Sequence, residues 1–238
     1  MKIVAITIGS YPFGEASTNR TISLLKGLVE IGNDVNLYVI SPTDKQTASH
    51  RIKRGEIYGI KYCYTSTTVR WPKQSILKIV IVVFSIINAI VKLFLSQRKK
   101  KIDAILILTT KPLIIHPFLL FAKLYKIKTL HERAEHPEIN FLGKKSIKNL
   151  YLKKYYYHLL PKFSGIYVIN EYLKEYFEGL LVSPKICIIN MTVDPSRFLQ
   201  DDKTPPFNFK YMAYCGTMSG NKDGVEDLIK IYKLIENK

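Results

Sequence analysis

The chain has 238 residues, 47% of them hydrophobic, which is enough for a sizeable core and excludes disorder as its main character. Lys and Arg number 36 against 19 acidic residues, a formal charge of +17 that favours anionic partners such as phosphates, acidic lipids or nucleic acid. The cysteines, Cys63, Cys187 and Cys215, stand far apart inside apolar runs, at neither disulfide nor metal spacing, as suits free thiols in a reducing cytoplasm.

Residues 2–8 are a β-branched-rich run lacking the charged region, long apolar stretch and cleavage site of a signal peptide, and they read as a strand buried on both faces. Gly9, Pro12 and Gly14 then impose a loop. From Thr18 onward Ile22, Leu25, Leu28 and Val29 recur on one helical face, with Ser17 or Thr18 available as N-cap and Gly32 just past the end. Residues 34–40 repeat the buried-strand pattern, 60–64 give a shorter strand, and the polar stretch between them is a loop or hairpin. Further strands are predicted at 103–108, 127–131 and 165–169, each separated by a helix-length segment. This alternation predicts an α/β fold, a mostly parallel sheet with helices on both faces. Residues 194–210 are polar, carry three prolines and read as a linker between a domain at 1–193 and a second unit at 211–238 made of a strand, a glycine-containing loop and a helix.

Residues 75–96 are the most hydrophobic stretch, and QRKKK follows them directly. Only residues 79–91 lie between Lys78 and Lys92, whereas a spanning helix needs about 20 apolar residues. The segment is therefore either a buried crossover helix or a helix laid on a membrane surface. Residues 144–162 put lysines beside tyrosines, which suits either a headgroup interface or a solvated helix with its tyrosines packed beneath.

Ligands of open α/β sheets bind beyond the carboxyl ends of the strands. Two such places carry chemistry. The loop 9–19 leads into a helix N-terminus whose free N–H groups favour a phosphate, with Gly14 at a turn or at the ligand and Arg20 able to neutralise an anion or to pair with an acid. The stretch TLHERAEHPE, 129–138, follows a strand and offers acid/base groups. Its catalytic candidates are His131 and Glu132, with His131 either activating an acceptor hydroxyl or bonded structurally to backbone. His131 and His136 match neither a helical zinc pair nor a finger, so no metal site is expected.

Several stretches in this order resemble the family 4 glycosyltransferases: SYPFGEASTNR after the first strand, DAILIL after the basic apolar helix, YVINEYLKEYF, IINMTVDPSRF with Asn190, Val193, Asp194 and Phe198, and YCGTMSGNKDGVEDLI. The resemblance implies a GT-B fold of two Rossmann-like domains, the first binding the acceptor and the second, begun at 211–238 and cut off, binding most of a nucleotide sugar. It implies transfer with retention and without metal or other cofactor. The leading expectation is transfer from a UDP- or GDP-linked donor to an envelope polysaccharide or lipid-linked glycan at the cytoplasmic face of an anionic membrane, which the short apolar helix and its flanking lysines would meet. Carried over, Gly14, Arg20, Gly216 and Lys222 would meet the donor phosphates and His131 and Glu132 the reacting centre. Thr217 stands where the family often has arginine, and Asp223 interrupts its Lys-Gly pair. The chain alone is expected to be inactive. The alternatives are a non-catalytic remnant, a membrane-associated binding domain, and a nucleic-acid-binding protein suggested by charge alone, for which no recognition motif is present.

Overall fold

Strand β1, Lys2–Thr7, has every residue buried because it lies in the middle of a sheet covered on both sides. The computed structural model describes residues 1–43, 52–137, 146–182, 185–195, 207–209, 211, 213–214 and 224–236. After β1 come α1 (Ala16–Glu30), β2 (Asp34–Val39), β3 (Arg54–Ile57), β4 (Ile60–Tyr64), α2 (Ser75–Lys99), β5 (Ala104–Ile107), α3 (Pro112–Leu124) and β6 (Lys128–Arg133). Then follow α4 (Ile147–Leu159), a 3-10 turn at Leu160–Lys162, β7 (Gly165–Val168), α5 (Glu171–Leu180), β8 (Lys185–Ile188) and α6 (Val225–Glu236).

The strands form one eight-stranded sheet in the order β3-β4-β2-β1-β5-β6-β7-β8. Every neighbouring pair is parallel except the β3–β4 hairpin. This is a Rossmann-like α/β architecture. The hairpin turns through Tyr58 and Gly59, both with positive φ (51° and 76°), as a two-residue connection between twisted strands requires. Gly59 is further constrained because a Cβ there would stand 2.7 Å from Val29 Cγ1 on α1. Alternate strand residues feed two cores. Val4, Ile6, Ile105, Ile107, Ile166 and Val168 pack against α2 to α5, whereas Ile3, Ala5, Leu37, Tyr62 and Leu106 pack under α1.

One local expectation is corrected, and one pair of alternatives is narrowed. Helix α1 begins at Ala16, earlier than the Ser17 or Thr18 cap implied, because Thr18 instead donates through Oγ1 to Ser10 O at 2.9 Å; Glu15 occupies the N-cap, and its side chain does not cap the first turn. Helix α2 is not a core helix. Only Ser85, Ala89 and Leu93 are buried, while Ile79, Val83, Phe84, Ile87, Val91 and Leu95 remain exposed.

The chain divides into two compact units, Met1–Asp194 and Pro195–Lys238. In the second, the described residues comprise helix α6 and an irregular segment in which the rings of Phe207, Phe209 and Tyr211 lie 5.1–6.4 Å apart. The strand expected near 211 is not formed at the described residues Tyr211, Ala213 and Tyr214, which make ring contacts or lie in coil rather than in a ladder.

Candidate functional site

The sheet order reverses at β1: the chain runs outward through β2 and β4 on one side and, after α2, through β5 to β8 on the other. The carboxyl ends of β1 and β5 therefore bound the crevice where open α/β sheets take ligands. A cavity of about 600 Å³ opens there, lined by Thr7 and Ile8 at the end of β1, Thr109 and Thr110 after β5, and Glu132 and Arg133 at the end of β6. Its size is that of a small-molecule site. Ala16 and Ser17 also line it, so the first turn of α1, which has no acidic residue and no side-chain cap, faces the same space.

The loop before α1 is held from several sides. The Tyr64 hydroxyl accepts from Tyr11 N and donates to Tyr11 O, both at 2.9 Å, and burial pushes Tyr64 up to about 12. Thr7 Oγ1 and Tyr11 OH share a 3.1 Å bond, and Ser10 Oγ is bonded to Thr43 Oγ1. Gly14 does not line the cavity. Its part in the structure is close packing, since a Cβ would lie 2.7 Å from Ser10 O and would strike the Thr18 side chain. Gly14→Ala is accordingly expected to cost about 1–3 kcal/mol by overpacking, read as a lower urea midpoint at unchanged slope. An unchanged midpoint would show that the loop relaxes freely.

Arg20 is engaged at all its donor edges. Nε meets Glu132 Oε1 at 2.6 Å, and the two terminal nitrogens donate to Asn190 O at 2.9 Å and Ile189 O at 3.1 Å. Of the two sequence readings, pairing with an acid is the one the geometry shows. Lys26, two turns along α1, pairs with Asp194 Oδ2 at 2.7 Å, a hydrogen bond that raises the lysine pKa. Helix α1 thus fastens the segment after β8 at Ile189, Asn190 and Asp194.

His131 and Glu132 point to opposite faces of β6, as successive strand residues must. Glu132 lines the cavity with Arg20. His131 does not; it is fully buried, stacked on Phe163 at 4.6 Å, with Nδ1 at 2.7 Å from Ile107 O and Nε2 at 2.8 Å from Tyr156 OH. A carbonyl can only accept, so Nδ1 carries the proton and Nε2 accepts from the tyrosine. Burial, followed by the charge of Arg133, lowers its pKa to about 3. The expectation that His131 activates an acceptor is corrected to the structural alternative, because neither nitrogen is available to a ligand. His136 packs on the Tyr176 ring at 4.3 Å. Gly216 and Lys222 lie outside the described residues. Among the described residues no group of three His, Cys, Asp or Glu side chains could hold a metal ion.

Sequence reasoning passed over Arg133. It is 2% exposed and lines the cavity, and the only hint was its place two residues after His131, on the same buried face of β6. The carbonyls of Ile189 and Asn190 were equally invisible, since any residue supplies a carbonyl.

No protein-family model and no curated protein matches this sequence. Solved structures do match. Sucrose-phosphate synthase from Thermosynechococcus elongatus superposes with a TM-score of 0.56 at 10% identity, over 79% of this chain and 47% of that one. A UDP-glucosyltransferase from Polygonum tinctorium capable of glucosylating indoxyl gives 0.55 at 13% identity, over 85% and 55%. A UDP-glucose:anthocyanidin 3-O-glucosyltransferase in complex with UDP gives 0.52 at 10%, over 83% and 55%. The chain spans about half the length of these structures. What it shares with these GT-B glycosyltransferases is the Rossmann-like α/β fold.

Proposed function

We propose that this chain is the acceptor-side part of a GT-B glycosyltransferase similar to family 4, which moves a sugar from a UDP- or GDP-linked donor to an envelope polysaccharide or lipid-linked glycan. The observation that carries the reading is the 600 Å³ cavity at the strand-order reversal. It lies in a sheet whose solved neighbours are named as sugar-nucleotide transferases. Retention and independence of a metal belong to the same reading. Deleting the coding sequence and resolving the envelope glycans by mass spectrometry tests it: one glycan is expected to lose a sugar residue, and an unchanged set would overturn it.

The acceptor would be met at the inner face of the membrane. Helix α2 extends about 37 Å at the α-helical rise and is apolar enough by length and composition to cross a bilayer. Its inner face is nevertheless tied to the sheet. Ser85 Oγ donates to Ile40 O at 2.6 Å, Asn88 Nδ2 donates to Thr65 O at 2.7 Å, and Ala89 and Leu93 are in the core. Such a helix lies along a bilayer rather than through it, with Phe84 and Ile87 more than half exposed on the outer face and Arg98 and Lys99 in its last turn. Exposed Ile147, Leu150 and Tyr151 of α4 are interleaved with Lys148, Lys153 and Lys154. Sedimentation with vesicles containing anionic lipid is expected to weaken about tenfold in the double variant Phe84→Glu, Ile87→Glu, and to weaken with salt. Equal pelleting of both proteins would remove α2 from the contact.

A further inference from the structure

Arg133 is a buried cation at the wall of the cavity with no anion to answer it. Its neighbour Glu132 points to the other face of β6 and is taken by Arg20. Glu135 gives Arg133 a backbone carbonyl, which accepts from one terminal nitrogen at 2.7 Å. The guanidinium carbon lies 5.6 Å from the centre of the Tyr156 ring, and the nearby imidazole of His131 is neutral. The Nε–H is shielded from solvent and has no acceptor, and among the described residues no carboxylate forms an ion pair with this side chain. A buried charge is normally paired, and a buried donor normally bonded. Where the site is also an open cavity, the missing partner is a ligand.

We infer that Arg133 is the anion-binding residue of the cavity and that its ligand is a phosphate group. The planar guanidinium suits an oxyanion, to which it makes short, charge-assisted bonds. Thr109 and Thr110 add hydroxyls to the same cavity, and the uncapped first turn of α1 adds backbone N–H groups, both of which suit phosphate oxygens. The remaining volume accommodates what the phosphate is attached to. Arg20, the arginine singled out from the sequence, cannot take this part without giving up Glu132 and two carbonyls. Two sources share the chemistry: the diphosphate of a nucleotide-sugar donor and the phosphate of a lipid-linked acceptor. The choice between these two rests on the glycosyltransferase reading; the presence of a phosphate site does not.

The test is the binding of three probes, inorganic pyrophosphate, UDP and geranyl phosphate, to the 238-residue chain and its Arg133→Met variant, by calorimetry and by thermal unfolding. Pyrophosphate at saturation is expected to raise the Tm of the unaltered chain by about 5 °C. The methionine variant is expected to bind at least about 10-fold more weakly, while its Tm without ligand stays equal or rises, because an uncompensated buried cation has been replaced by an apolar chain of similar shape. Arg133→Lys keeps the charge without the fork and is expected to fall between the two. Tighter binding of UDP than of pyrophosphate assigns the donor as source, and tighter binding of geranyl phosphate assigns the acceptor. Absence of binding by all three probes would overturn the inference, as would equal affinities in the unaltered chain and the variants. A methionine variant that loses Tm yet binds as before would show the arginine to be a structural donor to Glu135. Arg133-dependent binding of pyrophosphate together with unchanged glycans in the deletion strain would leave this inference standing and remove the transferase reading.

Discussion

Arg20→Ala is expected to lower the unfolding free energy by about 3–5 kcal/mol, the usual loss when one member of a buried ion pair is removed. Arg20 and Glu132 are only 5% and 13% exposed and meet at 2.6 Å. The alanine variant leaves the carboxylate without its cation and the carbonyls of Ile189 and Asn190 without two of their donors. Replacing both charged residues, as Arg20→Met with Glu132→Leu, is expected to recover a large part of the loss, because no uncompensated charge then remains. Urea titrations of the unaltered protein, the two single variants and the double variant measure the coupling directly. A loss below about 1 kcal/mol for Arg20→Ala would show the pair to behave as a solvent-exposed one.

For His131→Ala the expected loss is about 3 kcal/mol, the sum of a cavity against Phe163 and two broken hydrogen bonds, to Ile107 O and Tyr156 OH. A second signature is the dependence on pH. The folded imidazole titrates near 3 and the unfolded one near 6.5, so between these values the unfolded chain binds a proton that the folded chain refuses. The stability is therefore intact above about pH 6.5 and falls as the pH drops toward 3, by up to about 1.4 kcal/mol per pH unit. His131→Gln removes the titration and is expected to flatten this slope between pH 6.5 and 4.5 while keeping part of the hydrogen bonding. Equal slopes in the two proteins, from urea midpoints across that range, would mean that the ring is reached by solvent.

The fold was legible because β-branched runs and turn residues carry it. The strand predicted at 60–64 is β4 with the same ends, and those at 34–40 and 165–169 differ from β2 and β7 by one residue. Strand β8 was not separately predicted. KICI has only an alternating half-buried pattern, and it is placed by pairing with β7 and by α5, which periodicity does not report. The crevice was legible from the alternation of elements, which fixes where strands end. Roles within it were not. A histidine at a strand end reads the same in sequence whether its ring faces a ligand or Tyr156, and only its stacking on Phe163 with both ring nitrogens bonded shows that it is withdrawn from the cavity that Glu132 and Arg133 line. For helix α2 the sequence left the core and surface readings open for a related reason. Its apolar residues continue all round the helix, so the pattern did not reveal that Ser85, Asn88 and Ala89, small or polar, mark the face turned inward.

The fastening of α1 to the segment after β8 also sets an order on synthesis. Arg20 is 112 residues from Glu132 and 170 from Asn190. At about 5–20 residues per second, roughly 10–30 s separate the emergence of the arginine from that of its last acceptor. During that interval β1, β2 and β4 can pair among themselves, yet the guanidinium has no buried anion and α1 no carbonyl to hold. A nascent chain halted before β6 therefore holds Arg20 without its carboxylate and carbonyl partners, and one halted after Asp194 supplies them, a boundary that pulse proteolysis of stalled ribosome complexes would locate between Glu132 and Asn190.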